Sequence, residues 1–193
     1  MRFTITVDTK ALCERHAGGI LVPMSRKCLN ILRQENRALI AQLREMLQSV
    51  TATEYQSVRE PFERGGVGKH VRHILDHYHA FLEPSGGVVD YESRERDTQL
   101  ETDPSAASNA CLSVLSRLAD SEDVPTVSGV RQVLESESCV IGSSAVRELH
   151  FLSSHTMHHM ALISFILRSL GASVPDNFGV AFSTLRYEAR TGS

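Results

Sequence analysis

Four stretches of this 193-residue chain repeat apolar side chains at the spacing of an α-helix, each bounded by residues that start or stop helices. The first begins at Ser25, a candidate N-cap, and carries Cys28, Ile31, Leu32, Leu39, Ile40, Leu43 and Met46 over about two dozen residues. Pro61, Gly65 and Gly66 separate it from a second, with Val67, Val71, Ile74, Leu75, Tyr78, Phe81 and Leu82, which ends at Pro84. After a polar loop from Ser85 to Thr102, Asp103-Pro104-Ser105 opens a third. Ser143 or Ser144 caps the fourth and longest, Val146 to Leu170, which Gly171 terminates. Four amphipathic helices can bury their apolar stripes only against one another, so the pattern predicts an all-α four-helix bundle.

The flanking segments are less regular. Phe3, Ile5 and Val7 alternate with polar residues before Gly18, Gly19 and Pro23, which predicts a short strand and loop. Residues 1–23 therefore read as an N-terminal extension and 24–193 as the helical domain. Val124 to Ile141, with Pro125, Gly129 and Val/Thr alternation, suits a loop or weak β-hairpin before the last long helix. Pro175 to Ser193 lacks periodicity and reads as a long ordered tail.

Charge and composition exclude several roles. Lys and Arg number 20 against 23 Asp and Glu, with no block of like charge, so the basic footprint required by phosphate backbones is missing and nucleic-acid binding is not expected. No apolar run approaches the ~20 residues that cross a bilayer, and Asp8 interrupts the start before a signal-peptide core forms. No membrane association and a cytoplasmic location are expected. Cys13, Cys28, Cys111 and Cys139 are scattered, with no Cys-x-x-Cys pair, and read as reduced packing residues.

Histidine is the anomaly. His70, His73, His77 and His79 share one window of the second helix, and His150, His155, His158 and His159 share another in the fourth. Residues four apart on a helix lie about 40° apart around it and ~6 Å apart along it, so their imidazoles can converge on one ion. His73 and His77 form one such pair, and His155 and His159 another. One pair is commonplace; two pairs within apolar helices favour a shared divalent metal, Zn, Ni or Fe, over unrelated core and surface histidines. His70, His79 and His158 leave the centre of their faces and read as surface groups or supports for a ligand. Glu148, seven residues before His155, is a candidate catalytic group, although pairing with Arg147 or Arg186 is an equal reading. Asp76 reads as a solvated acid that could also orient an imidazole.

Gly-Val-Gly-Lys-His-Val-Arg-His-Ile-Leu-Asp-His (66–77) and Ser-His-Thr-Met-His-His (154–159) together resemble the DinB/YfiT-like metalloprotein superfamily. The likeness runs from about residue 25 through Phe178-Gly179-Val180-Ala181 and Ser183-Thr184-Leu185-Arg186-Tyr187. It implies a bundle of DinB/YfiT type that binds its ion through one histidine, matched by His73, and a later pair, matched by His155 and His159. His77 has no counterpart and is read as a fourth ligand, a support behind a ligand, or a catalytic contact with substrate.

Three neutral imidazoles leave a divalent ion its charge and an open position, as in catalytic rather than closed structural sites. The resemblance implies transferases that join low-molecular-weight thiols such as bacillithiol or mycothiol to electrophiles, or isomerases and hydrolases using the same site. A thiol-dependent transferase acting on a small-molecule substrate ranks first, because no second general base is evident. The alternatives are a metal-dependent hydrolase or isomerase, and a non-enzymatic, stress-related bundle that dimerises and closes the ion with His73, His77, His155 and His159.

Overall fold

The computed structural model describes residues 22–58, 65–94, 96–134 and 137–191. The expected Phe3–Val7 strand and the Pro61 break lie outside them.

Helix α1 spans Val22–Ser49, α2 Ala52–Gln56, α3 Val67–Leu82, α4 Gln99–Thr102, α5 Pro104–Arg117, α6 Ala145–Ser169 and α7 Phe182–Thr191. Strands β1 (Val88–Asp90), β2 (Gly129–Leu134) and β3 (Glu137–Gly142) form one sheet in the order β1-β2-β3. The chain is therefore mostly helical with a small sheet, which corrects the all-α expectation. β2 and β3 are the antiparallel hairpin, paired from Gly129↔Gly142 to Leu134↔Glu137, and β1 joins it in parallel through Val88↔Gly129 and Asp90↔Arg131. A three-residue strand is too short to leave an alternating pattern, so β1 was hidden in the polar loop.

The helix ends follow local chemistry. Asp103 accepts from the Ser105 amide with Pro104 at the first helical position, and Ser144 accepts from the Arg147 amide. Gly171, at φ 79°, turns the chain out of α6. The start of α1 differs from expectation: the helix begins at Val22, so Ser25 lies inside it and is not its N-cap. Pro23 in the first turn is compatible with this, because its missing N–H has no intrahelical acceptor there. The tail also differs, since Phe182–Thr191 is helical, with Phe182 and Leu185 half-buried and Phe182 packed against the core.

The long helices pack pairwise, α1 against α5 and α6, and α3 against α5 and α6. Leu39, Ile40 and Leu43 of α1, Ile74, Leu75, Tyr78 and Phe81 of α3, Cys111 and Val114 of α5, and Leu149, Leu152, Met160 and Ile163 of α6 share one buried core. Cys111 fits the expected packing role, and burial pushes its thiol up to about 12, whereas Cys28 and Cys139 are exposed and do not. At Gly68 a Cβ would fall 2.0 Å from the Glu101 carbonyl oxygen, so glycine permits α3 to meet α4 closely. Gly179, at φ 74°, lays the tail across α6, where a Cβ would sit 2.7 Å from Met160 and Ala161 backbone atoms. No helix among the described residues is long and apolar enough to cross a membrane.

Candidate metal centre

The contact between α3 and α6 brings His73, His155 and His159 together. One ring nitrogen from each lies within 4.8 Å of the other two, and the ring centroids stand 5.0, 4.6 and 4.5 Å apart. Nε2 of His155 is buried without a hydrogen-bond partner. An unmatched polar atom inside a protein is costly, and a cation among three imidazoles would satisfy it.

The surrounding groups hold these rings in place. His70 Nδ1 lies 2.9 Å from His159 Nδ1, so one of the two nitrogens must donate; a proton on His159 Nδ1 leaves its Nε2 lone pair free for an ion. His158, by contrast, is exposed, as are His79 and His150. Phe151 stacks on His155 at 5.4 Å, and the Arg147 guanidinium lies over the Phe151 ring, 5.4 Å from its centroid.

His77 adjoins the cluster, its ring 4.4 Å from His73 and 4.2 Å from His155, yet both its nitrogens are engaged. Nδ1 lies 2.7 Å from the main-chain oxygen of His73 and must be the donor, because a carbonyl only accepts. Nε2 therefore carries the lone pair and accepts from Arg94 at 2.7 Å. The same guanidinium nitrogen is 2.8 Å from Nδ1, whose proton is already committed, so Nε2 is the acceptor. His77 stands outside the set of nitrogens that converge.

Glu148 is fully buried, seven residues before His155. Its carboxylate accepts from Tyr91 at 3.0 Å, from Arg147 at 2.8 Å and from the Ser143 hydroxyl. Arg147 rather than Arg186 is its ion-pair partner. Asp76 is not a solvated acid and orients no imidazole: it is buried and accepts from Arg72 at 2.6 Å. Burial raises the Asp76 carboxyl, and the guanidinium of Arg72 one helical turn earlier opposes that shift.

Tyr91 and Arg94 escaped the sequence reading. Tyr91 stacks on His77 at 5.2 Å with 24° between the planes, while its hydroxyl holds Glu148. Both residues follow β1, whose pairing with β2 carries this loop over the histidines. No spacing rule links a loop residue to a helix face, so no sequence signal could have found them.

Burial is the main influence on the imidazoles. It pushes His73, His77 and His159 down to about 3 and His155 to about 4, with neighbouring histidines and Arg94 adding repulsion. All four are thus neutral near pH 7, and His73, His155 and His159 are available as donors to an ion. Unfolded, they titrate near 6.5, so between about pH 6.5 and 4 the unfolded chain binds more protons, and stability falls as the pH drops through that window. The melting temperature of the chelator-treated chain should fall from pH 7.5 to 4.5, and fall less in the His155→Gln, His159→Gln double variant. A melting temperature that is flat or rises toward pH 4.5 contradicts this assignment.

Comparison with known proteins corrects the family reading. No family model matches this sequence, and no solved structure matches it. The chain is similar to FK506-binding protein 5 of Rhizopus delemar, 34% identical over 105 residues that cover 52% of this chain. It spans 27% of that protein's length. Membership of the DinB/YfiT-like superfamily is not upheld: the quoted motifs are short helical histidine patterns, which helix geometry alone can produce without common descent.

Proposed function

We propose that this chain is a divalent-metal-dependent enzyme acting on a small molecule, with His73, His155 and His159 holding the ion on a four-helix bundle of α1, α3, α5 and α6. The observation that carries this reading is the convergence of three neutral imidazoles around the buried, partnerless Nε2 of His155. The pairwise packing of the long helices supports the bundle. Zinc, nickel and iron all accept such a donor set.

When bound, the ion would supply positive charge that lowers the pKa of a thiol or water entering its open position. The thiol is the favoured ligand. Glu148 is occupied by three donors and both His77 nitrogens are engaged, so neither of these two serves as a free general base. A low-molecular-weight thiol, with a pKa of about 8.5 against about 15.7 for water, asks less of the ion to become a bound anion. Thiol-dependent transfer therefore ranks above hydrolysis or isomerisation. The closed, non-enzymatic site would need His77 as a fourth ligand, and its hydrogen bonds favour the open one.

Purified chain, stripped with chelator and reloaded, should hold about one divalent ion. An ion that binds only the folded state stabilises it by about 2.7 kcal/mol at a hundredfold excess over Kd, which for a chain of this size raises the melting temperature by several degrees. Turnover in a screen of thiol and electrophile pairs should depend on reloading. Full metal occupancy with no turnover across thiol, hydrolytic and isomerase substrates would favour the storage or stress-related reading.

A further inference from the structure

Among the described residues, the buried side-chain polar atoms without a hydrogen-bond partner are Nε2 of His155 in the triad and Nε of Arg33, Arg37 and Arg44 on α1. Around the helix these three arginines and the exposed Arg26 fall within about 40° of one another, in a row roughly 27 Å long. Glu35 and Glu45, the acids of α1, lie about 80° or more around from Arg37. The row runs along the contact with α5: Arg33 donates to the carbonyls of Leu118 and Ala119 at 2.7 and 2.5 Å, and the Arg44 charge acts on the buried Cys111 thiol. Helix α5 contains neither Asp nor Glu, and Asp120, just beyond it, bears on Arg33. Arg37 and Arg44, both half-buried, are left without a carboxylate in ion-pair distance among the described residues. The chain as a whole has a net charge of −3, so this positive strip is a local feature and not a reflection of composition.

We infer that the row is a docking surface for an acidic, amphipathic helix of a partner protein. With Nε shielded from solvent, Arg37 and Arg44 offer a ligand their two terminal nitrogens, the fork that takes a carboxylate end-on. Donors repeated at helical spacing are matched by carboxylates repeated at the same spacing on a second helix. The opposite wall of the groove favours a helix over a phosphate polymer. Arg117 faces α3, where it donates to the Leu82 carbonyl at 2.8 Å. Leu115 and Leu112 lie about 160° and 140° around α5 from it, on the flank toward α1. Leu115 is half-buried and Leu112 exposed. This wall is uncharged and partly apolar, so it accepts the apolar flank of a helix and offers a phosphate backbone no further cation.

The test uses the full chain and a fluorescein-labelled peptide of about 20 residues, with glutamates spaced as the four arginines are, leucines on the adjoining face and alanines elsewhere. Fluorescence anisotropy should show this peptide binding about tenfold more tightly than its Glu→Gln counterpart, with the difference shrinking as salt is raised. Arg37→Gln with Arg44→Gln should remove the preference at an unlowered melting temperature, because neither arginine gives up a partner. Arg37→Lys with Arg44→Lys, which keeps the charge and loses the fork, should retain part of it and serves as the test if the glutamine pair does not fold. Leu112→Ser should weaken both peptides alike. Equal binding of the two peptides, binding of neither, or a preference that survives the loss of both arginines overturns the inference. A single-stranded oligo-dT that binds more tightly than the glutamate peptide, and is released by the same substitutions, would give the row to nucleic acid and overturn it too.

Discussion

His73→Ala, His155→Ala and His159→Ala should each lower metal affinity at least a hundredfold, so that purified variants carry little ion. Each change removes one of three protein donors, and with it a large share of a binding free energy of order 10 kcal/mol. His158→Ala should leave the metal content unchanged, because that imidazole is exposed. His77→Ala should also retain the ion, since its nitrogens serve the His73 carbonyl and Arg94. His70→Ala should be intermediate, about ten- to a hundredfold weaker, as expected for a group that orients a ligand, here the His159 ring 2.9 Å away. Element analysis on the six purified variants decides the matter. Undiminished metal in the first three would refute the centre, and loss in both His73→Ala and His77→Ala would replace the open site with a four-histidine one.

The second large effect is on stability and lies behind the site. Asn36, fully buried on α1, donates to the carbonyl of Leu32 at 2.8 Å and to that of Leu149 on α6 at 2.9 Å. Its oxygen accepts from the Tyr78 hydroxyl of α3 at 2.6 Å, which in turn accepts from Thr156 of α6 at 3.2 Å. One amide thereby ties together three helices, next to His77 and His155. Asn36→Leu would preserve the approximate volume but strip the Tyr78 hydroxyl of its acceptor in a site closed to water. Each buried group left unmatched costs about 1–3 kcal/mol, so a loss of about 3 kcal/mol is expected, or roughly 6–12 °C in melting temperature. Tyr78→Phe in the same background should recover part of it, because the orphaned hydroxyl is then gone. A melting temperature within 2 °C or so of the parent for Asn36→Leu would show that the network contributes little.

Much of the architecture was legible because helices announce themselves locally. The apolar period of α1, α3, α5 and α6, the Asp103 and Ser144 caps and the Gly171 stop all act within a few residues of the chain. The paired histidines were legible for the same reason: a spacing of four residues puts two rings on one helix face whatever lies opposite. The family resemblance had no such footing, and neither matching family models nor solved structures support it.

Everything that depended on a partner from elsewhere in the chain was decided by tertiary structure. His73 and His77 are equivalent by spacing; Arg94, carried in by the loop after β1, and the His73 carbonyl engage His77 and leave His73 facing His155 and His159. Glu148 could have paired with Arg147 or Arg186, and the placement of Tyr91 and Ser143 around it settled its surroundings. β1 exists because β2 lies alongside it, and nothing in three residues foretells that. Periodicity encodes which face of a helix is buried, but an i,i+4 pattern holds no information about what that face will meet. The meeting is a property of packed helices and crossing loops, where the cost of an unmatched buried polar atom selects one arrangement among those the local pattern allows.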